Sequence, residues 1–366
     1  MHIPDGYLSP VTCAVLYAAA VPFWAIALNR VKRLFNTRLV PLLSVFAAFS
    51  FVIMMFNIPL PGGTTGHAIG VGIATIVLGP WGSMLAVSVA LLIQALFFGD
   101  GGITAFGANS FNMAIVGSLV AAAVYRVLAG RAELTSTRRV FAAAFAGYAA
   151  INAAALCASI EFGIQPLLFH DASGAPLYAP YRLSIAVPAM MIGHLTFAGL
   201  AELIVAGGVV AYLQRSNASL LKLTAPNARG QATIGKTGWL ATRPLWIGLA
   251  ALMILTPLGL LAAGTAWGEW SARDFTDSAA REQITAASRD LAPPVAPPEG
   301  IARLADVWTA PFPDYAPAFL TSPQFGYILS AMFGAGTIIL VFLMIGWFVR
   351  IFARQGNTPP AERRIE

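Results

Sequence analysis

Three nitrogens stand together at the start of the chain, MHIPDGYLSP. Met1 carries an α-amine, and His2 adds a backbone amide nitrogen and an imidazole. Together they can close two fused chelate rings on one metal ion. A planar, nitrogen-rich donor set suits Ni(II) or Cu(II). Pro4 fixes its own φ and pushes Ile3 toward an extended conformation. Asp5-Gly6 reads as a turn. This terminus is therefore expected to be bent and held, where most termini fray. The bulky second residue also favours retention of the initiator methionine. The alternative is an ordinary hydrophilic leader before an apolar helix, since one histidine is a weak motif by itself.

A further nitrogen comes from His67, within GGTTGHAIG. The glycines permit unusual backbone angles and close approach. A tight loop could dip toward the membrane and present one imidazole, the commonest metal ligand. Joined to Met1 and His2, it would complete a four-nitrogen plane. Alternatively, His67 caps a helix or hydrogen-bonds within a re-entrant loop.

Other polar residues lie in apolar surroundings. His194 and Glu202 are eight residues apart, on roughly one helical face. Ionisable groups inside a membrane span are functional candidates. The two could relay protons, mark a subunit contact, or form a satisfied pair between helices. Gln94, Asn109, Ser110 and Asn112 flank a Gly-rich turn. They could orient the ligating groups or bridge helices. His170, beside Asp171, is expected in solvent. Cys13 and Cys157 stand alone in apolar runs and read as small core residues. No Walker motif, nucleophile elbow or HExxH is present, so no enzyme is expected. If ATP drives transport, another chain must bind it.

The elements that must position these residues are membrane helices. Of 366 residues, 58% are hydrophobic and 10% charged, and the mean hydropathy is +0.73. That composition indicates a polytopic membrane protein in a lipid bilayer. The net charge of +6 is no nucleic-acid signal, because its placement follows membrane orientation. The expected spans are 11–28, 39–58, 68–78, 83–98, 108–128, 140–162, 183–213, 244–266 and 325–351. The third is too short to cross alone and ends at Gly79-Pro80-Trp81-Gly82. The fold class is thus all-α integral membrane, about seven transmembrane segments plus two C-terminal ones.

Basic residues set the expected orientation. Arg30, Lys32, Arg33 and Arg38 follow the first span, and none precedes it. Of the 22 Lys and Arg, all but Arg182, Arg273, Arg281, Arg289 and Arg303 fall on one side. That side is cytoplasmic by the positive-inside bias, with the amino terminus outside and the carboxyl terminus inside. Residues 1–215 form one domain and 216–243 a cytoplasmic linker. A two-helix domain, 244–354, follows, with a polar outer loop at 267–324 and a tail at 355–366. The loop holds no His or Cys, so its acids would gather cations by field without ligating Ni(II).

MHIPDGYLSP together with GGTTGHAIG resembles the substrate-binding membrane subunit of nickel and cobalt energy-coupling-factor transporters, the NikM/CbiM family. The resemblance covers roughly residues 1–215. It implies a helical fold with the amino terminus tucked into the core, and Met1, His2 and His67 as metal ligands. It implies Ni²⁺ or Co²⁺ as the transported ion, with no organic cofactor. MHIPDG is closer to the nickel form of the motif. The implied partners are a membrane coupling (T) subunit and cytoplasmic ATPase (A) subunits. Residues 244–354 resemble the two-span accessory component NikN/CbiN, and Pro298-Glu299-Gly300-Ile301 is similar to a Pro-Asp-Gly-Leu motif of fused relatives. Pro313-Asp314-Tyr315 before the last span is also similar to the accessory component. Rival readings are a secondary transporter using His194 and Glu202, and a non-transporting membrane assembly protein.

Overall fold

The computed structural model describes residues 1–34, 39–225, 228, 239–262, 264–317 and 319–355. Arg38 of the first basic loop, Arg229 and Lys236 of the linker, and the tail from 356 lie outside the described residues.

The chain forms α1 (Pro10–Leu34), α2 (Leu39–Met54), β1 (Ile58–Leu60), β2 (Thr64–Gly66) and α3 (Val71–Phe98). It continues through α4 (Phe106–Ala129), α5 (Thr137–Leu168), α6 (Leu183–Ser216) and α7 (Trp239–Leu255). Beyond these lie α8 (Ser278–Ala287), α9 (Glu299–Leu304) and α10 (Pro323–Gln355). Among the described residues, seven helices are long and apolar enough to cross a membrane, and Val40–Met54 is a shorter apolar one. The protein is an all-α, multi-pass membrane protein. Large apolar side chains such as Val11, Val15, Ile204 and Leu340 point outward, as lipid-facing positions must.

α3 is hydrogen-bonded like one helix but runs in two directions. Gly79 has φ 74° and ψ 165°, outside helical space, and Pro80 follows it. Val71 lies against Gly117 of α4, while Ser83 hydrogen-bonds the adjacent Ser118 at 2.9 Å. In a straight helix, Val71 and Ser83 would be about 18 Å apart along the axis. The chain therefore turns back at Gly79, giving a short limb, 71–78, and a long one, 80–98. These match the two expected segments. The short limb reaches only about 12 Å, and every residue in it is buried among its neighbours.

The stretch expected as a loop, PLPGGTTGHAIG, contains a tight hairpin. β1 pairs antiparallel with β2, Leu60 facing Thr64. Gly62 and Gly63 make the turn at φ 85° and 75°. α5 is lined with buried alanines such as Ala143, Ala146, Ala150 and Ala154, which let α6 approach closely. At Gly147 a Cβ would come within 2.9 Å of the Ala206 Cβ, so glycine is required there.

The 267–324 segment, expected as a polar loop, is packed onto the bundle. It buries Trp267, Trp270, Phe275, Ile284 and Ile301. Arg281 donates to the carbonyls of Phe275 (2.8 Å) and Pro293 (3.0 Å), fixing the segment internally. The Trp308 indole donates to the Leu96 carbonyl and the Phe312 amide to that of Phe97, both at 2.9 Å. The segment therefore covers the end of α3.

Candidate metal centre

The first five residues are pinned by the turn between α3 and α4 and by the start of α4. Asn109 donates to the Ile3 carbonyl (3.1 Å) and accepts from the Ile3 amide (2.8 Å). The Gly102 amide donates to the same carbonyl at 2.8 Å. Asp5 accepts the amides of Thr104 (2.7 Å) and Ile103 (3.1 Å), and a short hydrogen bond from the Thr104 hydroxyl. A Cβ at Gly102 would fall 2.4 Å from the Asp5 amide nitrogen, so only glycine allows this contact. Each such bond contributes about 0.5–1.5 kcal/mol. Burial of Ile3 and Leu8 adds about 1.5–3 kcal/mol apiece. Bending and anchoring of the terminus thus follow from particular side chains.

This anchoring brings His2 to His67. Their ring centroids are 5.0 Å apart, with 33° between the planes. His2 is 1% exposed and His67 5%. The His67 Nδ1 lies 3.1 Å from the Ala68 carbonyl. The His2 Nδ1 lies 3.0 Å from Asp100 Oδ1. The Met1 amine sits 3.1 Å from Glu269 Oε1. Burial, then the charges of His2 and the amine, hold the His67 imidazole well below its usual range. Burial alone would raise the Asp100 carboxyl. The His2 charge and contact, the His67 charge and the Tyr315 hydrogen bond outweigh it and hold Asp100 below the usual carboxylate range.

A cavity of about 390 Å³ opens beside this group, lined among others by His67, Asp100, Glu269 and Tyr315. Among the described residues, no three His, Cys, Asp or Glu side chains converge as a metal cluster. A cation held here would need the backbone and terminal nitrogens of Met1 and His2 beside the imidazoles.

Residues 2–220 match the CbiM family, the cobalt uptake substrate-specific transmembrane region. The chain belongs to that family. Residues 242–351 match the PDGLE domain. A fused nickel transport protein NikMN of Rhodobacter capsulatus is 58% identical over 339 residues, 93% of this chain and 95% of that protein. A probable fused nickel transport protein LarMN of Lactiplantibacillus plantarum is 43% identical over 347 residues, 94% and 96% of the two chains. A crystal structure of a transition metal transporter aligns with a TM-score of 0.56 at 50% identity, covering 63% of this chain and 100% of that one. A truncated transition metal transporter aligns at 0.55 and 52% identity, covering 59% and 99%.

The CbiM region and the PDGLE domain meet at the terminal motif. Gly6, at φ 85°, touches the PDGLE segment so closely that a Cβ would lie 2.5 Å from the Gly300 carbonyl oxygen. The Gly300 amide donates to the Leu177 carbonyl at 2.7 Å. The Tyr7 hydroxyl donates to the Trp270 carbonyl at 2.6 Å. Tyr315 donates to Asp100 Oδ2 (2.5 Å) and accepts from Gln94 (2.9 Å).

The remaining candidates from the sequence divide clearly. Asn109 clamps Ile3, and Gln94 donates to Asp100 at 3.2 Å, so both stand at the site. Asn112 instead donates to Glu161 at 2.7 Å, and among the described residues the buried Ser110 hydroxyl has no hydrogen-bond partner. His194 and Glu202 do not pair. His194 Nδ1 faces the Met190 carbonyl at 2.8 Å, while Glu202 accepts backbone amides of the His67 loop. His170 is exposed, as expected. Sequence reasoning missed Asp100 and Glu269. Asp100 carried a faint signal as the one acid in a Gly-rich turn after an apolar run. Glu269, one acid among many in its segment, carried none.

Proposed function

We propose that this chain is the metal-recognising membrane component of an uptake system for Ni²⁺, with Co²⁺ as the alternative ion. The observation that carries the reading is the meeting of the chain's first two residues with His67, at 5.0 Å between rings, in a buried pocket. The Met1 amine, the His2 amide, the His2 imidazole and the His67 imidazole form the donor set. Four nitrogens in a plane suit Ni(II) or Cu(II), and the fused relatives are named for nickel transport. The amine must leave Glu269, and the Met1 and His2 donors must shed their protons before they ligate. Gln94 and Asn109 orient the site through Asp100 and Ile3.

In this reading residues 1–215 bind the ion, 216–243 are a cytoplasmic linker, and 244–354 form the accessory part. The amino terminus faces outside and the carboxyl terminus inside, as the basic residues indicate. Energy comes from ATP, as the resemblance to energy-coupling-factor transporters implies, hydrolysed by separate cytoplasmic ATPase subunits acting through a membrane coupling subunit, since this chain carries no Walker motif of its own. The proton-relay alternative is disfavoured because Glu202 is engaged by backbone amides and does not contact His194.

The test is titration of the purified full chain with Ni²⁺. His2→Ala and His67→Ala should each abolish tight binding while the chain stays folded, and His170→Ala should leave it unchanged. Wild-type affinity in His67→Ala would remove that residue from the site.

A further inference from the structure

Glu202 is a fully buried carboxylate within α6. Its Oε2 accepts the amides of Ile69 and Gly70, both at 2.8 Å, and its Oε1 accepts the Gly72 amide at 3.0 Å. These amides lie two to five residues beyond His67, where the loop enters the short limb of α3. Gly70, at φ 74°, turns the loop around the carboxylate, and a Cβ there would strike the Phe49 ring at 2.7 Å. Gly72 and Gly147 approach so closely that a Cβ on Gly72 would lie 2.6 Å from the Gly147 Cα. A Cβ on Gly147 would lie 3.2 Å from the Glu202 Cγ. Three elements thus leave a slot that one extended acidic side chain fills.

We infer that Glu202 is a positioning residue of the metal centre, holding the 69–72 backbone so that the His67 imidazole meets His2. The inference rests on the metal-binding reading above. The hydrogen bonds of the Glu202 carboxylate go to the Ile69, Gly70 and Gly72 amides, so it acts on the ion through the loop. An acid is suited to the role because its two oxygens accept three N–H groups at once, and hydrogen bonds to a charged acceptor are the strong ones. Glutamine replaces one acceptor oxygen with an NH₂ that faces amide donors. Aspartate keeps the charge and withdraws it by one methylene.

The experiment is a double-mutant cycle on the full chain, read by Ni²⁺ affinity and by the visible absorption of bound Ni²⁺. The variants are Glu202→Gln, Glu202→Asp, His67→Ala, and each Glu202 change combined with His67→Ala. Each Glu202 variant alone should weaken Ni²⁺ binding by roughly 10–100-fold. Its Ni²⁺ band should move to longer wavelength, toward that of His67→Ala, as an oxygen donor replaces the imidazole. In the His67→Ala background the Glu202 changes should have no further effect, because the side chain being positioned is gone. Additive losses, or an unchanged spectrum in both Glu202 variants, would overturn the inference. If Glu202→Gln fails to fold, Glu202→Asp decides alone. A wild-type chain without a nitrogen-rich Ni²⁺ spectrum would instead overturn the metal-binding reading, and this inference with it.

Discussion

Gly6→Ala tests the junction between the terminal motif and the PDGLE segment with a single methyl group. Gly6 has φ 85°, where an L-residue with a Cβ loses about 1–2 kcal/mol. The new carbon would also lie 2.5 Å from the Gly300 oxygen and 2.8 Å from the Ile301 Cα. Both neighbours are backbone, so no side chain can rotate away. Overpacking of this kind costs about 1–3 kcal/mol, for a total of about 2–5 kcal/mol. The strain is relieved by tilting residues 1–6 away from α9, which carries the amine and His2 off their positions against His67. If only about 1.4 kcal/mol of relief is available in this way alone, Ni²⁺ affinity falls tenfold.

Gly63→Ala is the matched control. Gly63 has φ 75°, yet among the described residues a Cβ there meets nothing within 4 Å. It bears the conformational cost without the collision. The assay compares unfolding midpoints and Ni²⁺ titrations of the two variants in one detergent. Gly6→Ala should be the less stable and should bind Ni²⁺ about 10–100-fold more weakly than Gly63→Ala, as about 1.4–2.8 kcal/mol requires. Identical midpoints and affinities in the two would refute the reasoning.

Three further outcomes are expected. One residue added before Met1 moves the amine by about 3.5 Å, so Ni²⁺ uptake by cells carrying that variant should collapse. Normal uptake would reject the amine as a donor. His67 is held well below its ordinary range, so the unfolded chain binds a proton near pH 6.5 that the folded metal-free chain refuses. Stability should therefore fall as pH drops below about 6.5, and His67→Asn should flatten the slope in denaturation between pH 5 and 7. An equal slope in the variant would count against a buried neutral His67. Residues 1–243 alone should retain the nitrogen-rich Ni²⁺ spectrum, because every proposed donor lies in 1–67, while bound Ni²⁺ exchanges faster with the cover removed. Loss of equilibrium binding in that folded fragment would mean that 244–366 builds the site.

The proposed centre is legible where local chemistry fixes it. The amine and His2 are neighbours in the chain, so their chelating geometry needs no fold. Gly79-Pro80-Trp81-Gly82 announced the reversal in α3, because Pro cannot donate and Gly79 can leave helical space. What stayed hidden depends on contacts between residues far apart in the chain. Glu269 reaches the amine across 268 positions, and Glu202 reaches Ile69 across 133. An apolar span with one acid gives no sign of which backbone that acid will hold. Asn112 looked equivalent to Asn109, but a few residues along α4 turn it toward Glu161.

In the proposed centre two of the four donors, the amine and the His2 amide, belong to the backbone. No side-chain substitution can remove either. Evolution and experiment can reach them only through positions that set the path of the backbone. Those positions are identifiable here: Gly6 against Gly300, Gly102 against Asp5, and Asn109 on both polar groups of Ile3. The first of these belongs equally to the PDGLE segment, and Glu269 on the amine comes from the same part of the chain. In the proposed centre the PDGLE segment would thus act on the donors by shaping where the terminus lies, a task for which it needs no histidine or cysteine of its own.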